Sequence, residues 1–190
     1  WQERARAFLD GAIDTLWSER GSKMRQWLHT EKGLNDATIK GACLGLNLAD
    51  KSEPRATWGL DLQNKEDGTE KKLWLPAGLV IPWVVNGDVH RLRFRRSDPG
   101  DGARYVTASG SGTAPAAWGF ERAAAAIVES ELDGLLLSQE AGDLCTVVAL
   151  GTATAKPDTA THKALKAAAV ILVALDTDEA GAKAAWKFWP

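Results

Sequence analysis

The chain has 190 residues, 23 Lys and Arg against 25 Asp and Glu, a net charge of −2, and 45% hydrophobic residues. That is enough apolar content for one large domain or two small ones, and no run approaches the roughly 18 unbroken apolar residues of a membrane span. Cys43 and Cys145 lie far apart in apolar surroundings, the pattern of a reducing cytoplasm rather than a disulfide framework, and the three histidines show no zinc-ligand spacing. No secretory pattern heads the sequence, and a start at Trp1 predicts a piece of something longer.

The first fifty residues read as helical. "QERARAFLDGAIDTLW" places Ala5, Phe8, Leu9, Ile13 and Leu16 near helical spacing. "SKMRQWLHTEK" is a second helix with Gly33 as its stop, and a third starts at Asn35 or Asp36, both good N-caps. "LGLNL" is a short strand, and "NKEDGTEKK" a charged, solvated hairpin tip. From Leu73 to Tyr105 the pattern becomes β: "GLVIPWVV" and "DVHRLRF" flank Asn86-Gly87, a strong hairpin signal. "TASGSGTAPAAWG" reads as a loop or linker.

After about residue 121 strands and helices alternate. "AAAAIVE", "LCTVVAL" and "VILVALD" read as strands; "ELDGLLLSQEAG", "DTATHKALKAA" and "DEAGAKAAWKF" read as helices. Such alternation predicts a parallel sheet with helices on its faces. The fold class is therefore α/β: a helical and β-hairpin N-terminal subdomain over 1–120, then a parallel-sheet domain over 121–190.

In open parallel sheets, ligands gather at the carboxyl ends of the strands. Glu129 closes one strand there, and Asp176, followed by Asp178, closes another that reads as buried. Three converging carboxylates repel each other unless one takes a proton or a cation lies between them. Mg²⁺ suits a few carboxylates plus water and phosphate oxygens. A helix N-cap is the competing role for Asp178.

"VHRLRFRR" alternates with period two, so Arg91, Arg93 and Arg95 share one solvated face while Leu92 and Phe94 point to a core. With Arg96 and Arg104 nearby, this concentrates positive charge suited to bidentate phosphate contact. A charged strand that merely discourages aggregation is the alternative. Tyr105 either stacks on a base or packs. The nine tryptophans mostly have apolar neighbours, which predicts core packing for nearly all. Lys156 either approaches a phosphate or is a solvated loop lysine.

"IVESELDGLLL", "VALGTATA" and "ILVALDTDEAGAKAAW" resemble, in order and spacing, the Toprim domain of bacterial DnaG-type primases over residues 123–186. Glu129, Asp133, Asp176 and Asp178 match that family's acidic residues; Leu150, Gly151 and Thr152 match its "LGT" segment, and Ala180-Gly181 its helix start. Ser130 stands where the family has a glycine. Upstream, "MRQWLHTEKGLNDATIKGACLGLNL" is similar to the helical entry of the primase core. "LVIPWVVNGDVHRLRFRRSDPGDGARYV" is similar to its hairpin and basic elements, Arg104-Tyr105 matching a Lys/Arg-Tyr pair. Toprim domains also occur in topoisomerases, recombination mediators and nucleases, which lack this N-terminal half.

The resemblance implies synthesis of short RNA primers on single-stranded DNA from ribonucleoside triphosphates with Mg²⁺ or Mn²⁺, in the cytoplasm during replication. It also implies a replicative helicase partner in cis or in trans, no membrane, and no zinc site within this chain. A phage or other mobile element is one source that fits. Glu129, Asp176 and Asp178 would be catalytic metal ligands, with Asp133 supporting them or binding a further ion. Arg91, Arg93, Arg95, Arg96, Arg104 and Tyr105 would contact nucleic-acid or nucleotide phosphates. A Toprim nuclease and a non-catalytic single-stranded-DNA-binding module remain alternatives. The family carries a zinc module upstream and usually continues the Toprim sheet beyond the D-x-D helix. Primer synthesis by the 190 residues alone is therefore expected to be weak, and to rise when flanking sequence is supplied.

Overall fold

The computed structural model describes residues 1–151 and 157–175. They form two compact units: Trp1–His29 with Asn35–Gly112, and Thr30–Leu34 with the chain from Thr113 on. Together they make a mixed α/β fold. Among the described residues, no helix is long and apolar enough to cross a membrane.

The first unit opens with three helices, α1 (Gln2–Trp17), α2 (Ser22–Thr30) and α3 (Asp36–Gly41). Asn35 caps α3, its side chain accepting from the Thr38 N–H at 2.9 Å. The C-terminus of α1 is satisfied by Arg25, which donates to the carbonyls of Leu16 and Ser18. The strands are β1 (Gly45–Asn47), β2 (Lys51–Glu53), β3 (Leu73–Leu75), β4 (Gly78–Val85), β5 (Asp88–Arg95) and β6 (Tyr105–Thr107). β1-β4-β5-β6 form an antiparallel sheet, and β2 pairs with β3. Asn86 and Gly87 both take the positive φ that their hairpin turn requires. The charged tip at 64–70 is exposed, as its composition predicts, and is closed by a bridge between Asn64 and Glu70. Within it, hydrogen bonds from the Thr69 hydroxyl, then its backbone N–H, hold the Asp67 carboxyl below the usual range.

Ala5, Leu9 and Ala12 of α1 pack with Val80, Val89, Leu92 and Phe94 on one face of this sheet. Phe8 bridges Phe94 at 5.9 Å and Trp58 at 6.4 Å between ring centroids. α1 lies directly against β1: a Cβ on Gly45 would fall 2.8 Å from the Ala12 Cβ and 2.9 Å from its backbone carbon. Gly45→Ala is therefore expected to destabilise the unit by roughly 1–3 kcal/mol, the cost of overpacking a core that cannot yield. Urea melts check this; an unchanged midpoint would mean that α1 stands off the sheet.

The second unit holds β7 (Ala116–Trp118), β8 (Ala124–Val128), α4 (Glu131–Ala141), β9 (Cys145–Ala149), α5 (Thr159–Ala167) and β10 (Val170–Ala174). The strand order is β10-β8-β9-β7, parallel among β10, β8 and β9, with β7 antiparallel. The alternation read from the sequence is present through β10; the last predicted helix lies outside the described residues. α5 contributes Leu165 to a core with Ala125, Ile127 and Val148. Gly134 of α4 faces Ala149 and the Trp118 ring, on the opposite side of the sheet.

Four expectations need correction. The segment read as a linker contains β7, whose Ala116 and Ala117 are buried through pairing with β9, a contact that local Gly, Ser and Pro content hides. β10 was expected to be buried, but Val170, Ile171 and Leu172 are 53%, 43% and 57% exposed, because among the described residues it is the edge strand. Strict alternation fails in β5: the register passes from Val84↔Val89 to Trp83↔Arg91, leaving His90 as an extra residue. That bulge lets Val89 and Leu92 share the core face. Of the seven described tryptophans, Trp58 alone is buried. The rings of Trp17, Trp27 and Trp74 instead lie beneath cations of other elements.

Candidate functional site

The sheet of the second unit has a topological switch point. α4 carries the chain from β8 to its neighbour β9 over one face, and α5 carries it from β9 back past β8 to β10 over the other. The helices that follow the neighbouring strands β8 and β9 thus lie on opposite faces, the arrangement in which open α/β sheets bind ligands at the strands' carboxyl ends. Glu129 follows β8 and Gly151 lies two residues past β9. The two loops are stitched together: Leu150 N–H donates to the Val128 carbonyl at 3.0 Å, and Gly151 N–H to the Glu129 carbonyl at 2.7 Å. Gly151 takes φ +81°, a conformation that favours glycine.

Glu129 is half-buried. Ser130 adopts extended backbone at φ −101° and ψ 153°, so the turn does not need a glycine, and its side chain caps α4. Its hydroxyl accepts from the Asp133 N–H at 3.2 Å and donates to Asp133 Oδ2 at 2.6 Å. Ser130-x-x-Asp133 is thus a reciprocal cap, a spacing visible in the sequence itself. Asp133 is exposed and tied to that cap. Ser130→Ala is expected to cost about 1 kcal/mol. An unchanged thermal midpoint would mean that the cap is redundant.

Asp176, Asp178, Thr152, Lys156 and Ala180-Gly181 lie outside the described residues. Among the described residues, no group of three or more His, Cys, Asp or Glu side chains is placed to hold a metal ion.

In the first unit, the bulge leaves Arg91, Arg93 and Arg95 on one face of β5, in register with Trp83, Ile81 and Leu79 of β4. Their exposure differs. Arg91 is only 6% exposed, which corrects its expected place on a solvated face: it stands beside the buried centre of the strand pair. Arg93 and Arg95 are partly exposed. The Arg93 guanidinium lies 4.7 Å from the Tyr105 ring centroid, and that of Arg95 lies 4.4 Å from Trp27 on α2. Stacking of this kind holds a planar cation flat while leaving its edge for hydrogen bonding.

Arg96 turns to the other side, 5.4 Å from the Trp74 ring, and donates to the Ala103 carbonyl at 3.2 Å. It therefore ties down the loop that leads to Arg104, whose own side chain is exposed. Trp27 was missed as part of this surface. Its local neighbours are apolar, and the cation over it comes from a distant strand.

No protein-family model matches the sequence, and no curated protein matches it. Solved structures do resemble the fold. The RNA polymerase domain of Mycobacterium tuberculosis primase DnaG is similar with a TM-score of 0.64 at 18% identity, over 95% of this chain and 67% of that one. The E. coli primase catalytic core gives 0.65 at 18%, over 96% and 64%. A DnaG primase catalytic domain bound to single-stranded DNA gives 0.61 at 17%, over 95% and 66%. The chain thus spans about two thirds of the length of these structures. At such identity the likeness establishes a shared fold with DnaG primase catalytic domains.

Proposed function

We propose that the chain is the catalytic core, or most of it, of a DnaG-like primase built on a Toprim-type domain. It makes short RNA primers on single-stranded DNA from ribonucleoside triphosphates, in the cytoplasm and alongside a replicative helicase. The observation that carries this reading is the switch point of the parallel sheet, with Glu129 and Gly151 hydrogen-bonded to each other at its carboxyl edge, in a chain whose described fold is that of DnaG catalytic domains.

The donor chemistry fits a hard divalent cation. Glu129 stands at the carboxyl edge of a parallel sheet, and the sequence continues from β10, which neighbours β8, to Asp176 and Asp178. Glu129, Asp176 and Asp178 would hold Mg²⁺ or Mn²⁺, which supplies charge neutralisation at the triphosphate and eases activation of the primer 3′ hydroxyl. Asp133 fixes the start of α4, directly after Glu129, through its bond with Ser130. Arg93 and Arg95, oriented by Tyr105 and Trp27, take phosphates of the template or nucleotide, and Arg104, across from Arg96, offers a further exposed cation.

Extension of an annealed RNA primer on a DNA template with labelled ribonucleotides separates phosphodiester formation from initiation. Mn²⁺-dependent addition is the expected result. Metal-dependent release of short DNA fragments without nucleotides would overturn the reading in favour of a nuclease.

A further inference from the structure

Within the first unit, a cleft of about 370 Å³ lies between α1 and the segment running from β1 into β2. Gly11 and Thr15, one helical turn apart on α1, line its floor; Phe8 and Leu48 give it apolar walls, and Arg20 and Lys51 give it charge. A glycine in a helix interior costs about 1 kcal/mol relative to alanine. Among the described residues no packing at Gly11 accounts for that cost, since a Cβ there would meet nothing within 4 Å. The missing side chain leaves the floor of the cleft open.

The charge is equally one-sided. Among the described residues no acidic residue lines the cleft, and neither Arg20 nor Lys51 makes an ion pair. The acids nearest Lys51 in sequence are engaged elsewhere. Asp50 accepts from Trp74 Nε1 and the Ala77 N–H, and Glu53 accepts from Trp58 Nε1 and Arg4. The Lys51 ammonium is held 5.4 Å from the Phe8 ring centroid, and Leu48 keeps 41% of its surface exposed. A concave surface of this volume, with apolar walls and two cations outside any ion pair among the described residues, has the form of a small-molecule site for an anion.

We propose that this cleft binds an organic phosphate of mononucleotide size, its phosphates on Arg20 and Lys51 and its flat body over Gly11, against Phe8 and Leu48. The assignment is independent of the metal chemistry, so the test is run in chelator. ADP is titrated calorimetrically into the 190-residue chain in EDTA. Saturable binding is expected, weakened at least tenfold by Gly11→Leu and by Arg20→Ala with Lys51→Ala. Lys71→Ala with Lys72→Ala, which removes the same charge from an exposed segment outside the cleft, should leave it unchanged.

Leucine is a better helix former than glycine, so the melting temperature of Gly11→Leu should not fall. If that variant misfolds, the exposed Arg20 and Lys51 pair still decides the matter. The proposal is overturned by absence of ADP binding in EDTA, by affinity that survives the Arg20 and Lys51 changes, or by pyrophosphate alone binding as tightly as ADP.

Discussion

Glu129→Gln, Asp176→Asn and Asp178→Asn are each expected to lower metal-dependent primer extension at least about a hundredfold, because a catalytic cation contributes several kcal/mol of charge stabilisation. The fold should survive. If the three carboxylates form the proposed site, removing one relieves repulsion in the metal-free protein, so the variants should melt at the same temperature as the parent chain or slightly above it. Added Mn²⁺ should then reverse the order, since a ligand that binds only the folded state raises its stability by mass action. The parent gains and the variants do not. Thermal melts with and without Mn²⁺ read this directly. If the parent chain gains nothing, or the variants gain as much, the acids do not form the metal site.

Asp133→Asn separates two roles for that residue. Its carboxylate oxygen accepts the Ser130 hydroxyl at the start of α4. The asparagine carbonyl can accept the same bond, so a capping role predicts a loss of no more than about 1 kcal/mol in stability and an unchanged Mn²⁺ response. A Mn²⁺ response as damaged as that of Glu129→Gln would make Asp133 a ligand.

The fold was legible where structure is set locally. Periodicity and caps were enough to find α1, α3, α4, α5 and the β4–β5 hairpin, and the alternation of strands and helices foretold the parallel sheet. β7 was not legible. Its three residues are a strand only because β9 pairs with them, and nothing in their own composition reports that partner. The exposure of β10 is likewise a matter of sheet order, whereas its sequence reports only that it is apolar. At the candidate site, strand-end position was readable for Glu129, and the cap formed by Ser130 and Asp133 was written in its spacing. The convergence of Glu129 with Gly151 required knowing that β8 and β9 are neighbours. On the basic face, period two identified the arginine row, but the bulge at His90, the burial of Arg91 and the stacking of Arg95 on Trp27 all depend on partners distant in sequence.

That difference among the arginines decides what their removal should do. Arg93→Ala with Arg95→Ala is expected to weaken single-stranded DNA binding and flatten its salt dependence. Each lost phosphate contact should reduce the slope of log affinity against log salt by about 0.7, giving a drop of about 1.4 for the pair. Stability should change little, because Leu92 and Phe94 fill the core face and an exposed cation–π contact contributes only about 0.5–1 kcal/mol.

Lysine at the same two positions keeps the charge but not the planar fork. It should therefore restore the slope while recovering only part of the affinity. Arg91→Ala should behave in the opposite way. At 6% exposure its side chain is part of the packing, so its loss should cost roughly 1–3 kcal/mol in stability and leave the slope of the folded protein close to that of the parent. Fluorescence anisotropy of a labelled oligonucleotide across a salt series, with urea melts of each variant, distinguishes the two patterns. An unchanged slope after loss of both Arg93 and Arg95 would mean that the DNA backbone runs elsewhere. A reduced slope in Arg91→Ala, with stability intact, would return that residue to the binding face.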